Sequence, residues 1–587
     1  MGFIGELGQN AMKAFSRFPV TLVWAVLGSC FLISIYSTDD YDIINQYNNL
    51  NLVLVLGISW LIAMQFISEA LEHKFLVRSL LKISVISGLT GFYFYLEQPR
   101  IDESMLGNGQ WALLLLAGHV FVIFAPFINT WDKHRFWNYL KNIGVAIIRS
   151  AVYSLVLYLG LALATSALEL LFDVNLNDYI YLQILIFCLG IVNTFIFLSD
   201  FVLVKDLQKS IDFHKTIEVL VKYILIPLSL LYLIIVYVYV FKILITWELP
   251  RGWVTYLISA LSLLAFVIHM VIEPIRQTHP SKFIKRFFPF YFYAILPLLP
   301  LLFIALYKRI ADYNFTELRY LGIVLAIWTT GMLVYMLVSK KKSLSLYAKS
   351  IFLLILLSSF GPLSAFKISI NAQLGELGEL LDSLKNKKEH TFSPEDYERF
   401  QSIITYLDNR NALDKTEAYF GFNPEEAFSE TGSYYMPRKI ADSLKITIEK
   451  SEIFNAFKNY NLISYKENFA EEITDYNYFT KLGLNSKVDD NRALQLHFDD
   501  NNVISFRYYG EILFATDMTS HLKTIGNKYD NLYDASQEDF TFRFKNDKGD
   551  FLLVFESLQF FYDNKVVDID SGRAMLFYRT YEALELP

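Results

Sequence analysis

The sequence predicts an α-helical polytopic membrane bundle of about eleven transmembrane helices over residues 1–370, followed by a C-terminal extramembrane α+β domain. Three observations predict it. Apolar residues make up 54% of the chain and mean hydropathy is +0.33, too apolar for a water-soluble chain of 587 residues. Charge is split, with a net +7 as far as Ile370 and −14 from Asn371 onward, which together give the formal −7. Finally, Lys and Arg alternate between successive interhelical loops, as they do in membrane proteins with one fixed orientation.

Lipid offers the backbone no hydrogen-bond partners, so an apolar run of about 17–25 residues crosses it as a helix. Such runs lie near Val20–Tyr36, Leu50–Ile67, Leu80–Leu96, Trp111–Phe127, Ile143–Leu171 and Ile180–Leu198. They continue near Tyr223–Ile245, Val254–Ile272, Phe287–Leu306, Tyr320–Val338 and Ser350–Phe366. The fifth is long and must tilt or protrude. Leu27-Gly28-Ser29-Cys30 loosely resembles a lipoprotein cleavage box, but the apolar run continues through Phe31-Leu32-Ile33. The stretch therefore reads as a retained first helix.

Loops on one side hold 19 Lys and Arg, from Lys13 and Arg17 to Lys340, Lys341 and Lys342. Loops on the other side hold 5: Arg100, Arg251, Lys308, Arg309 and Arg319. This bias sets the N-terminus in the cytoplasm, and an odd helix count exports the C-terminal domain. Residues 371–392 read as an amphipathic linker helix, with Leu374, Leu377, Leu380, Leu381 and Leu384 at helical spacing. Residues 393–587 then form the exported domain. Ser393-Pro394-Glu395 is a strong helix start. After about Asn459 the period falls to two. Leu494–Phe498, Val503–Tyr508, Phe540–Phe544 and Phe551–Phe555 read as strands, with Asp500-Asn501 and Lys548-Gly549 as hairpin turns. The two hairpins look alike, as in an internal duplication.

Chemistry is sparsely marked. No Cys/His spacing suits zinc, and no glycine loop suits a nucleotide phosphate, so neither metal nor cofactor is expected and nucleic acid is not a partner. The expected partners are the lipid bilayer and envelope proteins reached through the exported domain. Polar groups at membrane depth are functional hypotheses by default: His119, Arg149, Asn193 and His269. Their bland alternatives are an imidazole bonded to a neighbouring helix and an arginine that snorkels to the nearer face. Pro289, Pro297 and Pro300 interrupt the ninth span, and such breaks can free carbonyls for ions in transporters.

The outer loops carry the other candidate residues. Glu248–Trp253 contains Arg251 and Trp253, and Arg309–Tyr320 contains Tyr313, Thr316 and Arg319. Trp253 and Tyr320 suit headgroup-level anchoring, and Thr316 suits an N-cap. Arg309 and Arg319 face a domain of net charge −14, so this loop is expected to dock the acidic tail through arginine forks, with Trp253, Tyr313 and Phe315 as apolar support.

These residues also carry a resemblance. Arg17-Phe18-Pro19 with Thr21-Leu22, Phe136-Trp137, Leu249-Pro250-Arg251-Gly252-Trp253, Arg309-Ile310 with Tyr313, Thr316 and Arg319-Tyr320, and Pro394–Leu413 with Ile403, Tyr406, Leu407 and Arg410 resemble a bacterial inner-membrane family known as domain of unknown function 4153. Asn314 stands where that family leads one to expect glycine, and asparagine also tolerates left-handed turns. The resemblance implies a bacterial cytoplasmic membrane and a periplasmic tail, and it implies no activity. The expected function is a non-enzymatic membrane anchor for a periplasmic interaction or sensing domain. A transporter or permease is the alternative, and an enzyme whose groups meet only in space is a third reading.

Overall fold

A computed structural model of the chain describes residues 12–38, 40–71, 75–98, 105–129, 131–172, 176–201, 207, 215–246, 253–273, 276, 282–339, 343–385, 391–428, 435–448, 458–463, 475–485, 493–499, 501–529, 536–563 and 566–581. Contacts divide it into two units. The first comprises Met1–Ser383 with Phe400–Ile440, and the second Leu384–Arg399 with Ala441–Pro587.

The first unit is helical. Its long apolar helices are α1 (Pro19–Tyr36), α2 (Asn48–Ala70), α3 (Phe75–Leu96), α4 (Met105–Phe124) and α5 (Lys133–Phe172), then α6 (Ile180–Ser199) and α7 (Lys215–Thr246). They are followed by α8 (Trp253–Ile272), α9 (Lys282–Ile295), α10 (Leu298–Tyr313) and α11 (Glu317–Val338). The α9–α10 pair makes one span over Lys285–Ala311, and among the described residues ten spans are long and apolar enough to cross a membrane. This is a multi-pass membrane protein.

The eleventh expected span is shorter than the other ten, although its chain runs back along α11 from Ser343 beside Tyr335 to Leu363 beside Tyr320. Helix α12 covers only Ser345–Ser359, 15 residues, or about 22 Å against a hydrocarbon core of about 30 Å. The reason lies inside the expected Ser350–Phe366 run: Gly361 adopts φ +83° and Pro362 follows it, a pair that cannot continue a helix. A new helix, α13 (Ala365–Lys385), starts beyond the break and buries Leu377, Leu380, Leu381 and Leu384.

Aromatic residues knit the bundle core. Phe66 meets Phe18, Tyr139 and Phe201 with ring centroids 5.0–5.9 Å apart, within the range where edge-to-face pairs add to burial. Two spans contain π-helical turns, at Phe187–Asn193 in α6 and Leu220–Leu225 in α7. In the ninth span the helix breaks at Leu296-Pro297, between α9 and α10. The Ala294 carbonyl beside the break accepts the Tyr237 hydroxyl at 2.6 Å.

Helix α14 (Pro394–Asp408) starts in the second unit and ends in the first. Strands β1 (Thr391–Phe392) and β2 (Thr447–Ile448) pair in parallel. The main sheet contains β3 (Lys458–Ile463), β4 (Tyr478–Asn485), β5 (Leu494–Phe498), β6 (Val503–Tyr508), β7 (Glu511–Asp517), β8 (Thr541–Lys545), β9 (Gly549–Asp563) and β10 (Val566–Thr580). Its order is β3-β9-β10-β4-β5-β6-β7, with β8 lying beside β9. All neighbours are antiparallel except β4 and β5. Both expected hairpins are present, and each runs on into a third antiparallel strand, β7 or β10. Tyr509 and Gly510, both at positive φ, close the tight β6–β7 turn. Buried Asn502 staples the β5–β6 turn to β10. Its amide donates to the Val567 carbonyl at 2.7 Å and accepts from the Ile569 N–H at 3.0 Å.

Candidate functional site

A dense polar assembly of the first unit surrounds the loop between α10 and α11. Helix α10 ends because Asn314 takes φ +55° and ψ −170°, a conformation costly for residues with a Cβ. The asparagine side chain offsets that cost. Its Oδ1 accepts from the Phe315 N–H at 2.7 Å, and its Nδ2 donates to the Ala372 carbonyl on α13 at 3.1 Å. Buried Gln373 returns the contact, donating to the Phe315 carbonyl at 2.9 Å. The loop is thus stitched to α13 from both directions.

Glu317 opens α11, where the positive end of the helix dipole favours a carboxylate. Arg410 grips it with two bonds, Nε to Oε1 at 2.7 Å and Nη2 to Oε2 at 2.9 Å. Tyr406 donates its hydroxyl to the same Oε1 at 2.8 Å. Tyr406 and Arg410 stand four residues apart at the end of α14, and the guanidinium lies 3.7 Å from the Tyr406 ring centroid, close enough for a cation–π contact. Helix α14 stops as Asn411 turns to φ +48°. The Asn409 carbonyl then accepts the Met105 N–H, one of the orphan donors at the start of α4, at 3.2 Å. Burial, reinforced by the Glu317 charge, pushes the Tyr406 phenol far above its usual range, so it remains a neutral donor. Burial pulls the Arg410 guanidinium down, but its hydrogen bonds and charge contact with Glu317 prevail and raise it. The two charges cancel and both carboxylate oxygens are engaged. Such an arrangement holds segments together; it offers no free base or nucleophile.

The sequence-derived residues are distributed as follows. Arg319 donates to the Asn314 carbonyl of its own loop at 2.7 Å. Arg309 is half-buried in the last turns of α10. The buried ion pair here therefore has the reverse polarity of the expected one, with the acid in the loop and the arginine in the C-terminal segment. Thr316 takes the N-cap position with extended backbone, but its hydroxyl makes no cap bond. Tyr320 donates to the Leu363 carbonyl at 2.7 Å, within the α12–α13 break. Arg251 lies outside the described residues, as do the side chains of Trp253 and Tyr313. The Asp489-Asp490 stretch lies outside them too.

His119 does not reach the bundle interior: it is exposed on α4, with Nδ1 at 2.7 Å from the Leu115 carbonyl. Arg149 pairs with Asp200 at 2.9 Å. Asn193 ends the π turn of α6, and its Oδ1 is buried without a partner among the described residues. His269 is buried, with Nδ1 at 3.3 Å from the Tyr347 hydroxyl and Nε2 at 3.3 Å from Glu273. Glu273, just beyond the apolar span, also pairs with Arg276 at 2.6 Å. Burial would raise the Glu273 carboxyl, but bonds and charge from His269 and then Arg276 hold it down at about 2. A third cluster joins Arg17 to Glu69 by two bonds, at 2.9 and 2.7 Å, and to the Phe201 carbonyl. No group of His, Cys, Asp and Glu fit to hold a metal occurs among the described residues.

Sequence reasoning missed the role of Glu317. The available signal was the Tyr406–Arg410 spacing, an aromatic and a cation one helical turn apart in an otherwise acidic segment.

The family described as "Domain of unknown function (DUF4153)" matches residues 19–374. An uncharacterized protein of Pasteurella multocida (strain Pm70) is 26% identical over 418 residues, covering 68% of this chain and 66% of the relative's own length. No solved structure matches the chain.

Proposed function

Because this chain belongs to the DUF4153 family, we propose for it the role that its own geometry best supports: an anchor in the bacterial cytoplasmic membrane that presents a periplasmic α+β domain for interaction or sensing in the envelope. One observation carries the reading, the saturated clasp of Glu317, Tyr406 and Arg410. It fixes the end of α14 to the helical unit, while the same helix begins in the sheet-bearing unit. The clasp lies within the helical unit and engages its acid and its arginine fully, which favours a structural, anchoring role over catalysis. Transport would call for a polar path beside the broken ninth span. The groove there is lined by Leu233, Ile234, Tyr237, Val238, Phe290, Tyr293 and Ala294, and the Ala294 carbonyl is already occupied.

The charge bias of the loops supports the orientation. The test is labelling of single cysteines in intact spheroplasts, in a background with Cys30 and Cys188 replaced by alanine. Cysteines at Asp40 and Ser536 should react with an impermeant thiol reagent, and one at Ser210 should not. Reaction at Ser210 without reaction at Ser536 would reverse the orientation and remove the periplasmic role.

A further inference from the structure

Helix α3 carries one stripe of mixed character. Val85, Leu89, Phe92 and Leu96 are its buried apolar positions. Counting back at the same heptad spacing, the stripe continues through Lys82 and Arg78. Cations thus sit at one end of a line whose other end is apolar.

Beside this stripe runs a groove of about 570 Å3 between α2, α3 and α4, lined chiefly by Leu56, Trp60, Met64, Leu89, Phe92 and Leu114. It begins at Ser84, two residues from Lys82. It ends on an aromatic floor where Phe92, Tyr95 and Phe360 meet, with ring centroids 5.8–6.2 Å apart. From Ser84 to Tyr95 the helix rises about 17 Å, close to the ~15 Å of one leaflet's hydrocarbon. Gly88 and Gly91 form part of the wall, and a Cβ at either would point into open space.

The charges near the mouth do not balance. Glu69 is close enough to act on Lys82, but its carboxylate is already engaged: Arg17 binds both oxygens and Gln65 donates to Oε1 at 2.8 Å. Arg17 and Glu69 cancel, leaving Arg78 and Lys82 without an acidic partner among the described residues. The Arg78 Nε is moreover buried with no hydrogen-bond acceptor among the described residues, a state that a phosphate oxygen would relieve.

We propose that this groove is a binding site for an anionic phospholipid, with one acyl chain lying along α3 toward the Phe92–Tyr95–Phe360 floor and the headgroup phosphate held by Arg78 and Lys82. The apolar wall supplies affinity for any lipid of the bilayer, and the cations supply the preference for negative headgroups.

The test uses detergent-solubilised full-length protein exposed to micelles containing phosphatidylglycerol or phosphatidylcholine with matched acyl chains, with bound lipid counted by native mass spectrometry. The wild type should retain one phosphatidylglycerol per chain, with a preference over phosphatidylcholine of about 30-fold, as two cations near a headgroup supply. The Arg78→Gln/Lys82→Gln variant should lose the preference, and Arg78→Lys/Lys82→Arg should keep it. Gly91→Leu, which fills the groove and spares the cations, should retain neither lipid. Equal retention of both lipids by the wild type would mean annular lipid only and would overturn the site. An unchanged preference in the glutamine variant, or full retention by a folded Gly91→Leu protein, would overturn it as well.

Discussion

Replacing Arg410 by glutamine tests the clasp most directly. The change removes two charge-assisted bonds of 2.7 and 2.9 Å and leaves Glu317 with only the Tyr406 hydroxyl. The paired side chains are 15% and 12% exposed. That places the pair between a surface ion pair, worth about 0–1 kcal/mol, and a fully buried one, whose disruption costs about 3–5 kcal/mol. An intermediate loss of about 2 kcal/mol corresponds to about 30-fold in a local opening equilibrium. Amide hydrogen exchange reads that equilibrium peptide by peptide. In Arg410→Gln, exchange over residues 401–416 should accelerate about 30-fold, while peptides from β9 and β10 keep their wild-type rates. Adding Glu317→Gln removes the stranded carboxylate, so the double variant should lie at least about 1 kcal/mol closer to wild type than the sum of the two single changes. Exchange over 401–416 within about threefold of wild type, or strict additivity, would refute the assignment of this pair as the fastening point.

Other predictions follow from the same geometry. Asn314→Ala should destabilise the α10–α11 loop by about 1–3 kcal/mol, because alanine pays for the positive φ and cannot bond Ala372, whereas Asn314→Gly should cost less; thermal unfolding in detergent ranks the two. Asn502→Ala strands a carbonyl at Val567 and an N–H at Ile569, so β10 should lose about 2–4 kcal/mol of exchange protection with α2 unaffected. The Glu273 carboxyl is depressed in the folded protein, so its contribution is fully present above the ordinary carboxylate pKa near 4.5 and is lost as pH falls toward about 2. Glu273→Gln should therefore flatten the acid limb of the stability–pH profile in that window while leaving neutral-pH behaviour uncoupled from pH.

What the sequence made legible follows from which interactions are local. Hydrocarbon thickness acts on every residue of a run, so the first ten spans were readable from apolar length alone. Leu494–Phe498 and Val503–Tyr508 were readable to the residue because alternation and a polar turn agree there. The eleventh span, expected over Ser350–Phe366, has its helix at Ser345–Ser359, because backbone stereochemistry at Gly361-Pro362 outweighs an apolar content that runs on past it. Beside the arginine-rich loop lies an ion pair that no charge count singles out, Glu317 with Arg410. Counting charge identified Arg319, whose Nη1 donates to the Asn314 carbonyl five residues back, while Glu317 at the start of the same helix reaches a residue 93 positions away. A pairing at that separation leaves no periodic trace. Nor does His119 announce that it faces outward and His269 inward, since each sits in an apolar run of similar composition.

The length of α5 has a mechanical consequence. Its apolar stretch, Ile143–Leu171, rises about 43 Å, and a bilayer core of about 30 Å accommodates that if the helix leans by about 45°, protrudes, or thickens the membrane around it. An oblique rod of fixed length converts thickness into angle. Thinning the core by about 3 Å, the difference between cellular membranes, would lay it over by roughly a further 5°. Most of the residues from 151 to 172 are not buried, while Glu169 accepts the Tyr181 hydroxyl of α6 at 2.6 Å. The Phe136–Tyr139 end is locked in the aromatic core and the far end is tied to α6 by the Tyr181–Glu169 hydrogen bond, so a change of tilt would have to carry α6 with it.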